Sequence, residues 1–118
     1  MLIHVAGDNY FAAAKMGANL SGETGITGQG YNEARAFEER KMTRAQVIAA
    51  VEQSFALLKK SMTETSDDTL EASTDYFGPK RTTTLRTAWV GATTHLHEHL
   101  GQLIAYARSN KIVPPWSQ

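Results

Sequence analysis

From Thr83 to Ser109 the chain runs without a proline, and Leu85, Ala88, Trp89, Ala92, His95, Leu96, His99, Leu103 and Tyr106 recur at the spacing of one helical face. A helix of that length draws most of its stability from burying such a face, so the rest of the chain must supply elements to lie against it. Val90, Leu100 and Ile104 put apolar groups on other faces as well. That predicts a central helix, or one with a second contact surface. Asn110 is a suitable stop, and Pro114-Pro115 prevents any continuation.

Two further segments carry helical patterns. Leu2 to about Met16 is apolar and small-residue rich, with His4, Gly7, Phe11 and Ala14 on one stripe. Nothing ahead of Leu2 supplies a cap, so this segment reads as a helix already in progress. Thr43 followed by Gln46 is a capping-box pattern, and it opens a helix from about Arg44 to Met62 with Val47, Ile48, Val51, Phe55, Leu58 and Met62 on its apolar face. Phe55 and Trp89 read as core.

The connections are polar. Gly17 to Lys41 is rich in Gly, Thr, Ser and Asn, with partial helix expected from Asn32 to Glu39. Its run Gly22-x-x-Gly25-x-x-Gly28-x-Gly30 lacks the Gly-Lys-Ser/Thr of a phosphate loop and reads as flexible. Ser66-Asp67-Asp68 and Gly78-Pro79 bracket a second connection, anchored by Leu70 and Tyr76-Phe77. No strand alternation stands out, so the class is all-α. Three long helices are one short of the usual four-helix bundle, which predicts that a second copy of the chain completes the core as a homodimer.

Length and charge exclude several functions. A chain of 118 residues suits one domain, spanning 1–118, with one core. Twelve basic residues balance twelve acidic ones, and no Lys/Arg run makes a stripe for tracking phosphates, so nucleic acid is not the expected partner. There is no cysteine, hence no disulfide, thiolate ligand or cysteine nucleophile, which fits a reducing cytoplasm. No apolar run approaches the roughly 18 residues of a membrane span, and the start lacks the basic region of a secretory signal. A cytoplasmic protein without membrane contact is the simplest expectation.

The chemistry is concentrated in the histidines. Three of the four, His95, His97 and His99, fall within Thr94-His95-Leu96-His97-Glu98-His99. On a helix His95 and His99 stack one turn apart, while His97 points nearly opposite and reads as solvated. Two imidazoles so placed can share a metal ion, and His4 joins them only if the fold brings the two ends of the chain together. The bland alternative is a pair of hydrogen-bonded core histidines. Tyr10, Tyr106 and Arg108 are candidates to line a pocket near the histidines, although packing and helix capping explain them equally well.

Leu2-Ile3-His4-Val5-Ala6-Gly7-Asp8-Asn9-Tyr10, Thr82-Thr83 before a long helix, His95-x-x-x-His99-Leu-Gly-Gln102, Tyr106-x-Arg108 and Ile112-Val113-Pro114-Pro115-Trp116-Ser117 together resemble the DinB-like superfamily. The resemblance covers both ends of the chain and the order between them. It implies an up-down-down-up helical bundle in which three histidines hold a divalent metal, a role that carries over to His4, His95 and His99. It also implies either an unassigned function or metal-dependent chemistry on a low-molecular-weight thiol such as bacillithiol, mycothiol or glutathione. The DNA polymerase that shares the name is not meant. The sequence departs from the family pattern in lacking its first helix and in carrying Leu100 where an arginine is usual.

Neutral imidazoles suit zinc, nickel, copper or iron(II), with zinc or nickel expected here, and three protein nitrogens leave a position open for water or a thiol. Each ligand needs an acceptor for its second ring nitrogen, for which Asp8, Glu98 and Gln102 are candidates. Two functions follow. One is a metal-dependent transferase or hydrolase; the other is a non-catalytic helical homodimer that binds a small molecule or a protein.

Overall fold

The computed structural model describes residues 1–20 and 22–117. It contains four α-helices: α1 (Leu2–Lys15), α2 (Asn32–Glu38), α3 (Arg44–Glu64) and α4 (Leu85–Ser109). A two-residue antiparallel pair, β1 (Ser73–Thr74) with β2 (Thr83–Thr84), joins Ser73 to Thr84 and Thr74 to Thr83. The all-α class and the helix positions agree with the sequence. The short ladder was not expected, because two threonine-rich dipeptides carry no alternation to detect. Among the described residues, no helix is long and apolar enough to cross a membrane.

Helix starts follow local chemistry. At α3 the Thr43 hydroxyl accepts from the Gln46 N–H while the Gln46 carboxamide accepts from the Thr43 N–H, which completes the capping box. We expect Thr43→Ala to lower stability by about 1 kcal/mol in a urea titration, the usual worth of such a cap. Helix α4 opens on Thr84, whose hydroxyl accepts from the Thr87 N–H, and closes on Asn110.

The spine of the molecule is α1. Every residue from Val5 to Ala13 is buried, and both core clusters draw on them. Ala6, Tyr10 and Phe11 pack with Ile26, Ala34 and Phe37. On the other side Ala12 and Ala13 meet Leu58, Trp89 and Ala92, and the anchors Leu70 and Tyr76 close over this second cluster. So many small residues let three elements approach at once. Gly7 marks a close approach of α1 and α2: a Cβ there would lie 3.3 Å from the Ala34 carbonyl oxygen and 3.4 Å from the Phe37 ring. The central place thus falls to α1, which buries more than the stripe of His4, Gly7, Phe11 and Ala14, and of the two expectations for the Thr83–Ser109 helix the central one is corrected.

Helix α4 leaves much of its surface free. Val90, Leu100 and Tyr106 are exposed, and so are Ile112, Val113 and Trp116 beyond its end. The radius of gyration, 15.1 Å, exceeds the roughly 13–14 Å of a compact chain of this length, as a projecting helix requires. On α3 the buried residues are Ser54 and Leu58, with Val51 and Leu57 beside them. Phe55, Ile48 and Met62 lie on a neighbouring stripe and are exposed. Phe55 is thus not core, whereas Trp89 is.

The glycine-rich segment read as flexible is tied down instead. Ile26 enters the first core cluster, and the Thr27 and Gly28 N–H groups donate to the Glu33 carboxylate. Arg40 donates to the carbonyls of Glu23 and Thr24. Anchoring this segment seats α2 on α1, which brings Glu38 to His4.

Candidate metal centre

His4 and Asp8 stand one turn apart near the start of α1, and His95 and His99 one turn apart in the middle of α4. Where the two helices meet, the four side chains turn toward a common point. His4 Nε2 lies 3.0 Å from His99 Nε2, which lies 3.0 Å from His95 Nε2. Asp8 Oδ2 lies 2.6 Å from His95 Nε2 and 3.1 Å from His4 Nε2. One ligand atom from each of the four falls within 4.8 Å of the others.

The donor set fits a divalent ion. Three ring nitrogens and a carboxylate oxygen are borderline to hard ligands, as zinc, nickel and iron(II) prefer. A tetrahedral ion with bonds of about 2.0–2.1 Å would hold its nitrogens about 3.3 Å apart, so a few tenths of an ångström of spreading would seat it. The Nδ1 atoms of two rings are also provided for. His4 Nδ1 meets Glu38 Oε1 at 2.5 Å, and His99 Nδ1 meets Gln102 Oε1 at 3.3 Å. Such acceptors put the proton on Nδ1 and leave the Nε2 lone pair facing inward.

Asp8 is buried in the interior of α1 and fully engaged. Its Oδ2 faces His4 and His95, while Oδ1 accepts from the Tyr31 hydroxyl at 3.2 Å. Partial burial, together with the Asp8 charge and hydrogen bond, pushes the Tyr31 phenol up to about 12. Tyr31 therefore keeps its proton at neutral pH and serves only as a donor to the carboxylate.

Of the residues singled out by sequence, His4, His95 and His99 come together. His97 is exposed, and its Nδ1 donates to the Thr93 carbonyl at 2.9 Å, so it stands apart as expected. Gln102 takes up the role of acceptor, but Glu98 bonds Gln102 rather than a ring. Tyr10, Tyr106 and Arg108 are not at the site. Tyr10 is buried against Phe37 with its hydroxyl on the Ala50 carbonyl, toward α3, and Tyr106 and Arg108 are exposed near the far end of α4. Two participants had no such role in the sequence reading. Asp8 was expected to accept from a ring and also presents an oxygen to the common point. Glu38 carries no signal in the sequence, because it lies 34 residues from His4 and no local pattern links the two.

Glu38→Ala is expected to weaken zinc binding about 10- to 100-fold, the usual effect of losing such an acceptor, with helix content unchanged. Competition with a chromophoric chelator would measure it. Comparison with known proteins finds no matching family model, no matching curated protein and no matching solved structure.

Proposed function

We propose that this is a DinB-like metal-binding protein of the cytoplasm, in which His4, His95 and His99 hold a zinc or nickel ion for transfer or hydrolysis on a low-molecular-weight thiol. The observation that carries the reading is the convergence of three Nε2 atoms from opposite ends of the chain, with two of the rings backed by side-chain acceptors. Hydrogen bonding within a core does not by itself call for three Nε2 atoms to gather at one point. A bound ion would supply Lewis acidity, lowering a bound water to about pKa 7 and keeping a bound thiol deprotonated.

The chain's own groups would do the rest. With the three histidines as the ligands and the fourth position open, Asp8 would stay off the ion, its Oδ2 close enough to accept a proton released there, while Tyr31 holds the other carboxylate oxygen in place. Glu38 and Gln102 fix the orientation of two rings. Zinc titrated into chelator-treated protein should bind at one ion per chain by calorimetry. Protein that takes up neither zinc nor nickel would remove the reading.

The exposed apolar groups favour a second reading, the non-catalytic homodimer. Leu100, Tyr106, Ile112 and Trp116 are exposed on the distal part of α4 and its tail, and a second copy could cover some of them. Light scattering after gel filtration decides the oligomeric state. A monomer at micromolar concentration sinks the dimer.

A further inference from the structure

A cavity of about 680 Å³ opens beside the four-residue cluster, and Asp8 and His95 form part of its wall. That volume is in the range of sites that take drug-sized molecules. Of these two side chains His95 is the more accessible, at 37% against 10% for Asp8, so the cluster is open to the cavity on the His95 side.

The rest of the wall carries four aromatic rings, in two separate pairs, among polar and small residues that include Gln29, Thr94 and Glu98. Phe11 of α1 and Tyr31 ahead of α2 meet edge to face at 5.6 Å between ring centroids. Tyr76 and Phe77, in the connection between β1 and β2, meet at 4.9 Å. Gly91 of α4 lets the second pair close in, since a Cβ there would come within 2.8 Å of the Phe77 ring. Lys15, which carries a cationic side chain on the wall, is paired with Asp75 at 2.7 Å and so exerts little pull on an anionic guest. The Tyr76 hydroxyl has no hydrogen-bond partner among the described residues. Burial and the charge of Asp8 hold it protonated, with its pKa pushed up to about 12, so it can donate to a guest.

Aromatic rings contributed by both pairs favour a flat guest ring over a flexible or heavily charged chain. The cluster at the side of the cavity favours an oxygen or sulfur donor on that ring. We propose that the cavity binds a small molecule with a flat aromatic body and an oxygen- or sulfur-donor head, the head reaching the ion held by His4, His95 and His99. This rests on the metal reading above.

Two hydroxamates sharing one chelating head separate the claims. Benzohydroxamate should bind the zinc-loaded protein at least tenfold more tightly than acetohydroxamate in a calorimetric titration. Phe77→Ala, at an exposed position, should cut that preference below threefold while zinc uptake stays unchanged. Zinc uptake with the two hydroxamates bound within twofold of each other would overturn this proposal and leave the metal reading standing. A preference undiminished by Phe77→Ala and by Tyr76→Ala would also overturn it. Failure to take up zinc at all would overturn both.

Discussion

His95→Ala is expected to lower zinc affinity at least about a hundredfold, roughly 3 kcal/mol at 1.4 kcal/mol per factor of ten, while the helices stay formed. The ring stands at the junction of the cluster, with Nε2 3.0 Å from His99 Nε2 and 2.6 Å from Asp8 Oδ2. Its removal deletes a ligand and leaves the core almost untouched, because more than a third of the side chain is exposed. Asp8 keeps partners in His4 and Tyr31, so no buried carboxylate is stranded. Far-UV circular dichroism should match the parent. Added zinc should raise the melting temperature of the parent by mass action and leave that of the variant where it was. A variant unfolded at neutral pH would show that His95 is a structural histidine. His99→Ala is a poorer probe, because His99 is buried and its loss would mix packing with ligation.

Trp89→Ala should be the most damaging core substitution, at about 3–5 kcal/mol. The indole is buried in the second core cluster against Ala12, Ala13, Leu58 and Ala92. Its Nε1–H donates to the Thr65 hydroxyl at 3.2 Å, which ties α4 to the C-terminal end of α3. Beyond this cluster, α4 is held at its start, where the Leu85 and Arg86 N–H groups donate to the Ala72 and Leu70 carbonyls, and at the four-residue cluster where it meets α1. With each kcal/mol worth roughly 3–6 °C in a chain of this size, the melting temperature should fall by about 10 °C or more. Zinc binding should weaken in parallel, since α4 carries two of the three histidines. A melting temperature within a few degrees of the parent would show that α4 is held by other contacts.

Local signals made most of the fold legible. The capping box at Thr43, the apolar spacing through Trp89 and Leu96, and the stop at Asn110 each act within a few residues, which is the range over which a helix is specified. On α3 the expected apolar face is buried at Leu58 and packs on the core at Val51, whereas Ile48, Phe55 and Met62 of the same face lie on a neighbouring stripe and are exposed. The alanines of α1 and the buried Ser54 face the core because the helices pack closely there. The same closeness made α1 the spine, a role that its modest side chains did not advertise.

At the site, the sequence by itself determined the paired geometry of His95 with His99 and of His4 with Asp8, because one helical turn sets each spacing. It also determined that His97 stands apart, and it offered Gln102, alongside Asp8 and Glu98, as a candidate acceptor. Only the tertiary structure decided that the two pairs meet at one point, that Glu38 backs His4, and that Tyr31 and Tyr76 stand beside the cluster in place of Tyr10 and Tyr106. These contacts join residues that are far apart in the chain, through the crossing of α1 with α4 and the docking of α2. Helical periodicity fixes which way a side chain points from its own axis, whereas what it then meets depends on where the other axes lie.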